Sequence, residues 1–188
     1  MSNEEKLMRV IAGKYRHRKL YWPSDESIRP TKDRVKESIF SALGDISHIT
    51  FLDLYAGSGA IGIEALSRDA DISYFVDVNQ NSISCIKKNL ESLNISSSQY
   101  QILYMSDLDA INKLNEEHIH PDIIFMDPPY KKGKYEEVIK YILDNGFLSP
   151  NGIIVAESDH PLEIDHNLFN KVKEYHFGKE ILVTILRR

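Results

Sequence analysis

The sequence predicts an α/β fold built on a mostly parallel sheet of about seven strands with a C-terminal antiparallel hairpin. Short apolar runs alternate with segments of helical spacing along most of the chain, which is typical of parallel sheets covered by helices. A glycine-rich turn follows one of the first runs, where such folds bind ligands. Two runs at residues 171–175 and 180–186 enclose Phe177-Gly178-Lys179, a spacer that favours a hairpin.

The predicted elements follow one another in a regular order. The first core strand starts at 51 and ends at Asp53, and the others are residues 72–76, 100–104, 123–126 and 153–156. The helices between them start near 61, 80, 107 and 135. Before this core, short strands at 9–12 and 19–22 predict a small N-terminal β-hairpin. A helix then begins near Thr31, a plausible N-cap residue, with Val35 and Ile39 on its apolar face.

Length and composition indicate a single globular domain. The chain has 188 residues, of which 42% are hydrophobic and 27% charged, so residues 1–188 are expected to form one domain with an extension at about 8–45 and a core at about 46–188. No apolar run approaches the ~20 residues of a membrane span, and the N-terminus lacks a secretory apolar region. The single cysteine, Cys85, excludes an internal disulfide and fits a cytoplasmic protein. The scattered histidines predict no metal site.

The tetrapeptide Asp127-Pro128-Pro129-Tyr130 follows the apolar run 123–126 and indicates chemistry on an amine. Its acid is at the carboxyl end of a strand, where open α/β sheets bind ligands. Each proline fixes its own φ and removes a backbone N–H, so the turn is stiff and presents acceptors. The Asp127 carboxylate, the Pro128 carbonyl and the Tyr130 ring match an exocyclic amino group on a nucleobase. The plainer interpretation is an ordinary turn.

A glycine-rich loop at residues 55–62 follows the strand that contains Asp53 and predicts a nucleoside-type cofactor. Glycines allow a ligand to approach the backbone closely, and the next helix offers unpaired N–H groups. Asp77, at the end of the following strand, can accept hydrogen bonds from ribose hydroxyls. The loop also satisfies the G-x-G-x-x-G pattern, so a nicotinamide or flavin nucleotide fits the same residues.

Two features favour S-adenosylmethionine over a dinucleotide. Asp53 lies four residues before Gly57, where a carboxylate would repel a pyrophosphate but suits the ammonium group of an amino acid. The segment 127–130 has no evident task in hydride transfer. S-adenosylmethionine is therefore the predicted cofactor, and a nicotinamide oxidoreductase is the disfavoured alternative.

The N-terminal segment is basic although the chain is acidic. Residues 9–38 hold nine Lys or Arg and four Asp or Glu, a local balance of +5 against −5 for the whole chain, which leaves −10 elsewhere. Such separation of charge suggests one basic face aimed at a phosphate backbone. A solvated hairpin is the alternative, and the acidic remainder argues against indiscriminate binding of nucleic acid.

Several motifs together resemble the bacterial 16S rRNA guanine-N2 methyltransferase family, collinearly over essentially the whole chain. These motifs are residues 9–13, 16–20, 29–37, 53–62, 64–68 and 127–130. The resemblance implies a Rossmann-like class I methyltransferase fold, S-adenosylmethionine as donor, and one guanine of 16S rRNA as target. It also implies a small ribosomal subunit or an assembly intermediate as the substrate, and we expect a monomer.

The resemblance assigns roles to individual residues. The methionine part of the cofactor is expected near Asp53, Tyr55, Ala56, Gly57, Ser58 and Gly59, the ribose near Asp77 and Val78, and the adenine near Ser106 and Asp107. The catalytic turn is Asp127, Pro128, Pro129 and Tyr130, and the RNA-binding candidates are Arg16, His17, Arg18, Lys19 and Arg34. A helix cap is the alternative role for Asp107, and both Thr31 and Arg34 could meet either the cofactor or the RNA.

Two further functions remain open at this stage. A DNA adenine-N6 or cytosine-N4 methyltransferase would use a similar Pro-Pro-aromatic turn, although 188 residues leave no room for a separate target-recognition region. A nonenzymatic RNA-binding protein could retain the same fold, but the intact Asp127, Pro128 and Gly57 argue against such decay.

Overall fold

A computed structural model describes residues 8–23, 31–129, 134–178 and 180–188. Its strands are β1 (Met8–Arg9), β2 (Lys19–Leu20), β3 (Thr50–Leu54), β4 (Ile72–Asp77), β5 (Tyr100–Tyr104), β6 (Ile123–Met126), β7 (Ile153–Ser158), β8 (Lys171–Phe177) and β9 (Ile181–Arg187). Its helices are α1 (Asp33–Leu43), α2 (Ala60–Ser67), α3 (Gln80–Ser92), α4 (Asp107–Glu116) and α5 (Lys134–Asp144). The predicted α/β order of the core is confirmed.

The main sheet has seven strands in the order β5-β4-β3-β6-β7-β9-β8. Neighbours from β5 to β7 are parallel, whereas β9 runs antiparallel to both β7 and β8. The chain leaves β3 toward one side of the sheet and returns to place β6 on the other side, which makes β3 and β6 the switch point. Open α/β sheets bind ligands in the crevice above the carboxyl ends of such strands.

Helices cover both faces of this sheet, which explains the uninterrupted apolar runs of its strands. On one face, Phe51 and Phe125 pack with residues of α1 and α2. On the other face, Leu52 and Ile124 pack with residues of α4 and α5. No helix in the described ranges is long and apolar enough to span a membrane.

The N-terminal hairpin is present but shorter than predicted. In place of strands at 9–12 and 19–22, β1 and β2 are each two residues long and pair Met8 with Leu20. The backbone N–H groups of Ile11 and Ala12 donate instead to the buried carboxylate of Glu64 on α2, at 2.7 and 3.0 Å. Side-chain acceptors on the helices thus replace the expected ladder and fix the hairpin to the core.

Candidate active site

A cavity of about 930 Å³ opens at the carboxyl edge of the sheet, above the switch point. The predicted site residues that line it are Thr31, Asp53, Tyr55, Ala56, Gly57, Ser58, Asp77, Val78, Ser106, Asp107, Asp127, Pro128 and Pro129. Gly59 is the N-cap residue of α2 and is not among the residues that line the cavity, and Tyr130 is outside the described residues. The volume suits a small-molecule ligand.

The glycine loop is held to the end of β4 by Asp77. One carboxylate oxygen of Asp77 accepts a hydrogen bond from the Gly57 N–H at 2.8 Å, and the other accepts from the Asn79 N–H at 2.8 Å. Gly59 has φ +77°, a left-handed conformation that glycine adopts without strain. A Cβ on Gly62 would come within 2.4 Å of the Phe75 ring, so only glycine lets α2 pack this closely on β4.

Asp53 lies at the base of the cavity and is only 1% exposed. Its carboxylate accepts a hydrogen bond from the Gly62 N–H at 2.9 Å, in the first turn of α2. Burial raises the pKa of Asp53 to about 7, against the lowering effect of the Gly62 bond, and the charge of Asp77 adds to the increase. The carboxyl is therefore costly to ionise until a cation arrives.

Tyr55 and Asp107 connect the ends of β3 and β5, the two strands that flank β4 in the sheet. Tyr55 has φ +64°, an uncommon conformation for a residue with a side chain, and its hydroxyl donates to Asp107. The Lys134 ammonium lies 2.8 Å from the same Asp107 oxygen. Burial opposes ionisation of Asp107, but the hydrogen bonds from Lys134 and Tyr55 outweigh it and hold its pKa below the usual range. Lys134 has no signal in the sequence, because this pairing depends on how α4 and α5 pack.

The helix cap at the start of α4 is provided by Ser106 rather than by Asp107. Ser106 is the N-cap residue, and its hydroxyl accepts a hydrogen bond from the Asp109 N–H at 3.2 Å. Asp107 is the first helical residue, and its carboxylate faces the cavity and its partners Tyr55 and Lys134. The cap expected as an alternative for Asp107 is thus provided by Ser106.

Asp127 directly follows β6, with the cavity-lining Pro128 and Pro129 after it. The pKa of Asp127 lies well above its usual range because the carboxyl is buried and because the negative charges of Glu157 and Asp53 act on it. The site therefore presents several carboxyls to the cavity near the switch point, which favours a cationic ligand.

Glu157, in β7, was missed by the sequence analysis. It is 4% exposed, and its carboxylate accepts a hydrogen bond from the Thr31 hydroxyl at 3.2 Å. Burial raises the pKa of Glu157 to about 7, while the Thr31 bond acts in the opposite direction. The signal was present, because Glu157 follows an apolar run as Asp127 does.

The predicted N-cap role of Thr31 is wrong. Lys32 holds the N-cap position of α1 without a side-chain hydrogen bond, and the Thr31 hydroxyl is turned to Glu157 instead. Thr31 lines the cavity, whereas Arg34 is exposed on α1. Of the two residues left undecided, Thr31 is therefore the one placed beside the candidate site.

The N-terminal segment also contributes two residues that the sequence did not indicate. Met8 of β1 and Trp22, just after β2, both line the cavity. Trp22 is partly buried against the cluster that contains Met8 and Ala60. No spacing rule predicts these contacts, since they follow from the docking of the hairpin on α2 and α3.

The predicted RNA-binding residues of the hairpin are exposed. Arg16, His17, Arg18 and Lys19 surround the turn between β1 and β2. The Arg18 guanidinium donates to the Ser92 carbonyl at 2.9 Å, which ties this side chain to the end of α3. Arg16 and Lys19 are therefore the clearer candidates for phosphate contact. Within the described ranges, no group of three or more His, Cys, Asp or Glu residues could hold a metal ion.

Comparison with known proteins gives a consistent relationship. The family model described as "Conserved hypothetical protein 95" matches residues 8–186. The ribosomal RNA small subunit methyltransferase D of Haemophilus influenzae is 39% identical over 168 residues, which cover 88% of this chain and 86% of that protein. The Escherichia coli K12 protein of the same name is 35% identical over 153 residues, which cover 81% of this chain and 75% of that protein.

Solved structures share the whole architecture. The Escherichia coli protein yhhF superposes with a TM-score of 0.79 at 28% identity and covers 96% of this chain and 98% of its own. A Haemophilus influenzae protein solved as a methylase candidate gives a TM-score of 0.75 at 31% identity with the same coverage. The N-terminal hairpin, the parallel sheet and the C-terminal antiparallel strand are therefore one shared fold.

Proposed function

Because the chain belongs to the ribosomal RNA small subunit methyltransferase D family, we propose that it transfers a methyl group from S-adenosylmethionine to the N2 amino group of a guanine in 16S rRNA. The observation that carries this proposal is the position of Asp127 and Pro128 at the carboxyl end of β6, where they line the same cavity as the buried Asp53.

The residues of the cavity fit S-adenosylmethionine. Asp53, whose ionisation is opposed by burial, suits the ammonium of the methionine part, and Asp77 can accept from the ribose hydroxyls. Ser106 and Asp107 are suitably placed for the adenine edge. When bound, the cofactor supplies an electrophilic methyl group on a positively charged sulfur.

The protein's contribution to the reaction is alignment and charge. The lone pair of a guanine N2 is delocalised into the ring, so its nucleophilicity is low. The Asp127 carboxylate and the Pro128 carbonyl would accept hydrogen bonds from the two N–H groups of this amine and favour a pyramidal nitrogen aimed at the methyl group. The target base must be extruded or already single-stranded, and stacking on Tyr130 stays a prediction, because that residue is outside the described ranges.

One experiment tests this function directly. The protein is incubated with radiolabelled S-adenosylmethionine and small ribosomal subunits from a strain that lacks the enzyme, and the modified nucleoside is identified after digestion. We expect label in N2-methylguanosine and far less label over the same time with the Asp127→Ala variant. Label in N6-methyladenosine, or on DNA but not on subunits, would contradict the proposal.

The first prediction concerns which cofactor the protein binds. S-adenosylmethionine and its demethylated product should bind in calorimetry, whereas NAD should not, because the buried Asp53 carboxyl is favourably ionised only beside a cation and offers no favourable contact to a pyrophosphate. An Asp53→Asn variant serves as the control, since it should lose affinity for S-adenosylmethionine. Tight binding of NAD with no binding of S-adenosylmethionine would sink this assignment.

The basic hairpin gives the second prediction. If Arg16 and Lys19 each neutralise one phosphate, replacing both with alanine should flatten the slope of log affinity against log salt by about 1.4 units, at roughly 0.7 for each single-strand contact. Arg18 is left in place because its bond to Ser92 helps to dock the hairpin. The measurement is binding to small subunits across a salt series.

A matched variant separates this contact from general charge. Lys171 and Lys173 are exposed on the edge strand β8, and replacing both with alanine removes the same charge elsewhere. That variant should keep the parent slope. Equal slopes for the parent and the Arg16/Lys19 variant, with unchanged thermal midpoints, would leave the hairpin as a solvated surface.

A further inference from the structure

Glu157 is the neighbour of Asp127 across the sheet. Strands β6 and β7 are parallel, and Met126 pairs with Ala156, so the next residues of the two strands lie side by side. Phe125 and Val155, two positions earlier, point together into the cluster below α1. Because side chains alternate along a strand, Asp127 and Glu157 share that same face. We call these two residues the carboxyl pair.

The carboxyl pair is enclosed from several sides. The Thr31 hydroxyl, in the segment before α1, donates to the Glu157 carboxylate at 3.2 Å, and Tyr135 of α5 donates to the Glu157 main-chain carbonyl at 2.7 Å. Asp53 of β3 acts on Asp127 through its charge.

Two cavity-lining residues and the adjoining strand complete these surroundings. Asp159 and Glu180 are exposed residues that line the cavity. From β9, the residue paired with Glu157 is the apolar Val183. The groups that act on the pair are thus further carboxyls, a hydroxyl and apolar side chains.

Glu157 is buried and Asp127 is half-buried, and two such carboxylates side by side cannot both ionise cheaply, so they titrate as a unit. The structure agrees in direction, because burial and the charge of Glu157 raise the pKa of Asp127, and burial raises the pKa of Glu157 to about 7. A cation in the cavity would favour the fully ionised pair. The carboxyl pair can therefore release a proton when a cation binds in the cavity.

We propose that Glu157 makes the carboxyl pair a proton store: the pair shares one proton in the cofactor-free protein, releases it when the cationic cofactor binds, and takes one back from the methylated amine. Glu157 is a positioning residue in this scheme, since it acts through Asp127. The inference rests on the proposed function for its last step and on the carboxyl pair alone for the first.

The charges of the cycle balance. Binding of the sulfonium cation is matched by loss of one proton to solvent. In the transfer, the amine nitrogen forms the new N–C bond, and the C–S bond breaks with its electron pair left on sulfur, which becomes neutral. The nitrogen, now positive, gives one proton to Asp127 and keeps the electron pair of that N–H bond. The carboxyl pair together with the sulfonium or amine cation carries the same net charge before and after each step; Asp53 and the ammonium group of the cofactor are not part of this balance.

The test compares the parent with Glu157→Gln, in which the amide oxygen can still accept the Thr31 bond. In the cofactor-free protein, carbon-13 NMR of the Asp127 carboxyl should show ionisation at a pH lower by about one unit in the variant, because a neighbouring negative charge is gone. Calorimetry near pH 7 in buffers of different ionisation enthalpy should show that the variant releases fewer protons per bound S-adenosylmethionine. Any proton that Asp53 releases on binding of the cofactor is released in both proteins, so it cancels in the comparison.

Glu174→Gln on the exposed edge strand β8 is the matched control and should behave as the parent in both measurements. The acid limb of the methylation rate should also move to lower pH in Glu157→Gln alone. An unchanged Asp127 titration, or equal proton release in parent and Glu157→Gln, would overturn the proton store. Failure of the parent to methylate rRNA would instead overturn the proposed function, because the titration of the cofactor-free protein does not depend on that reaction.

Discussion

Replacing Asp127 with alanine is expected to lower kcat for rRNA methylation by about 10²–10³-fold while leaving the affinity for S-adenosylmethionine nearly unchanged. The magnitude is that of removing one well-placed group which stabilises developing charge. The carboxylate would touch the base rather than the donor, so its interaction grows in the transition state and hardly contributes to cofactor binding. Single-turnover rates and calorimetry on the same preparations provide the measurement.

Two further variants make this result interpretable. Asp127→Asn keeps one oxygen that can accept an amine hydrogen, so its rate should lie between those of the parent and the alanine variant. Asp144→Ala removes an exposed carboxylate of α5 and should have no effect. The alanine variant should fold well, because burial and the neighbouring carboxyls already make the Asp127 charge costly. Near-normal turnover in folded Asp127→Ala would remove Asp127 from the mechanism.

The core strands could be predicted closely because each is an apolar run bounded by turn residues. The predictions of β5 at 100–104 and β6 at 123–126 agree with the structure residue for residue. Both faces of this sheet are buried, so the pattern is continuous and hard to mistake. The glycine loop and its acid were predictable for a related reason: a tight turn after a buried strand restricts which residues can occupy it.

The N-terminal hairpin was harder because tertiary contacts decide its extent. Tyr21 would have continued β2, but its N–H donates to the Asn89 side chain on α3 at 2.7 Å. Asn89 also donates to the carbonyls of Tyr21 and Ser58, which connects the hairpin to the glycine loop. The sequence correctly indicated extended backbone near Tyr21, but this backbone bonds to a side chain on α3 and not to another strand.

The chemistry of the site was only partly visible in the sequence for a similar reason. Asp53, Asp77 and Asp127 each end or follow an apolar run, and position alone identified them. Glu157 meets the same criterion, yet it gains its meaning only from the order of the strands, which places β7 beside β6. Lys134 has no such signal, because its partner Asp107 lies on another helix.

Replacing Asp53 with asparagine is expected to stabilise the cofactor-free protein and weaken cofactor binding at the same time. Burial raises the pKa of this carboxyl from the ordinary aspartate range near 4 to about 7 in the folded state. The folded state therefore binds a proton more tightly than the unfolded state, so stability falls as pH rises from about 4 to about 7. Above pH 7 the full cost of ionising the buried carboxyl is subtracted from the free energy of unfolding, and a pKa difference of this size corresponds to at most about 4 kcal/mol.

The asparagine oxygen can still accept the Gly62 N–H, so the gain in unfolding free energy should approach this bound at pH 8 and vanish near pH 4. Affinity for S-adenosylmethionine should fall about 10–100-fold, the loss expected for one charge-assisted hydrogen bond. Denaturant unfolding at several pH values and calorimetry at pH 8 measure the two effects. Asp122→Asn, which changes a carboxylate bonded to the Thr50 N–H at the opposite edge of the sheet, should leave cofactor affinity unchanged. A higher free energy of unfolding together with a lower affinity for S-adenosylmethionine would show that Asp53 destabilises the cofactor-free protein in order to bind a cation. A decrease in both quantities would mean that Asp53 serves the fold rather than the cofactor.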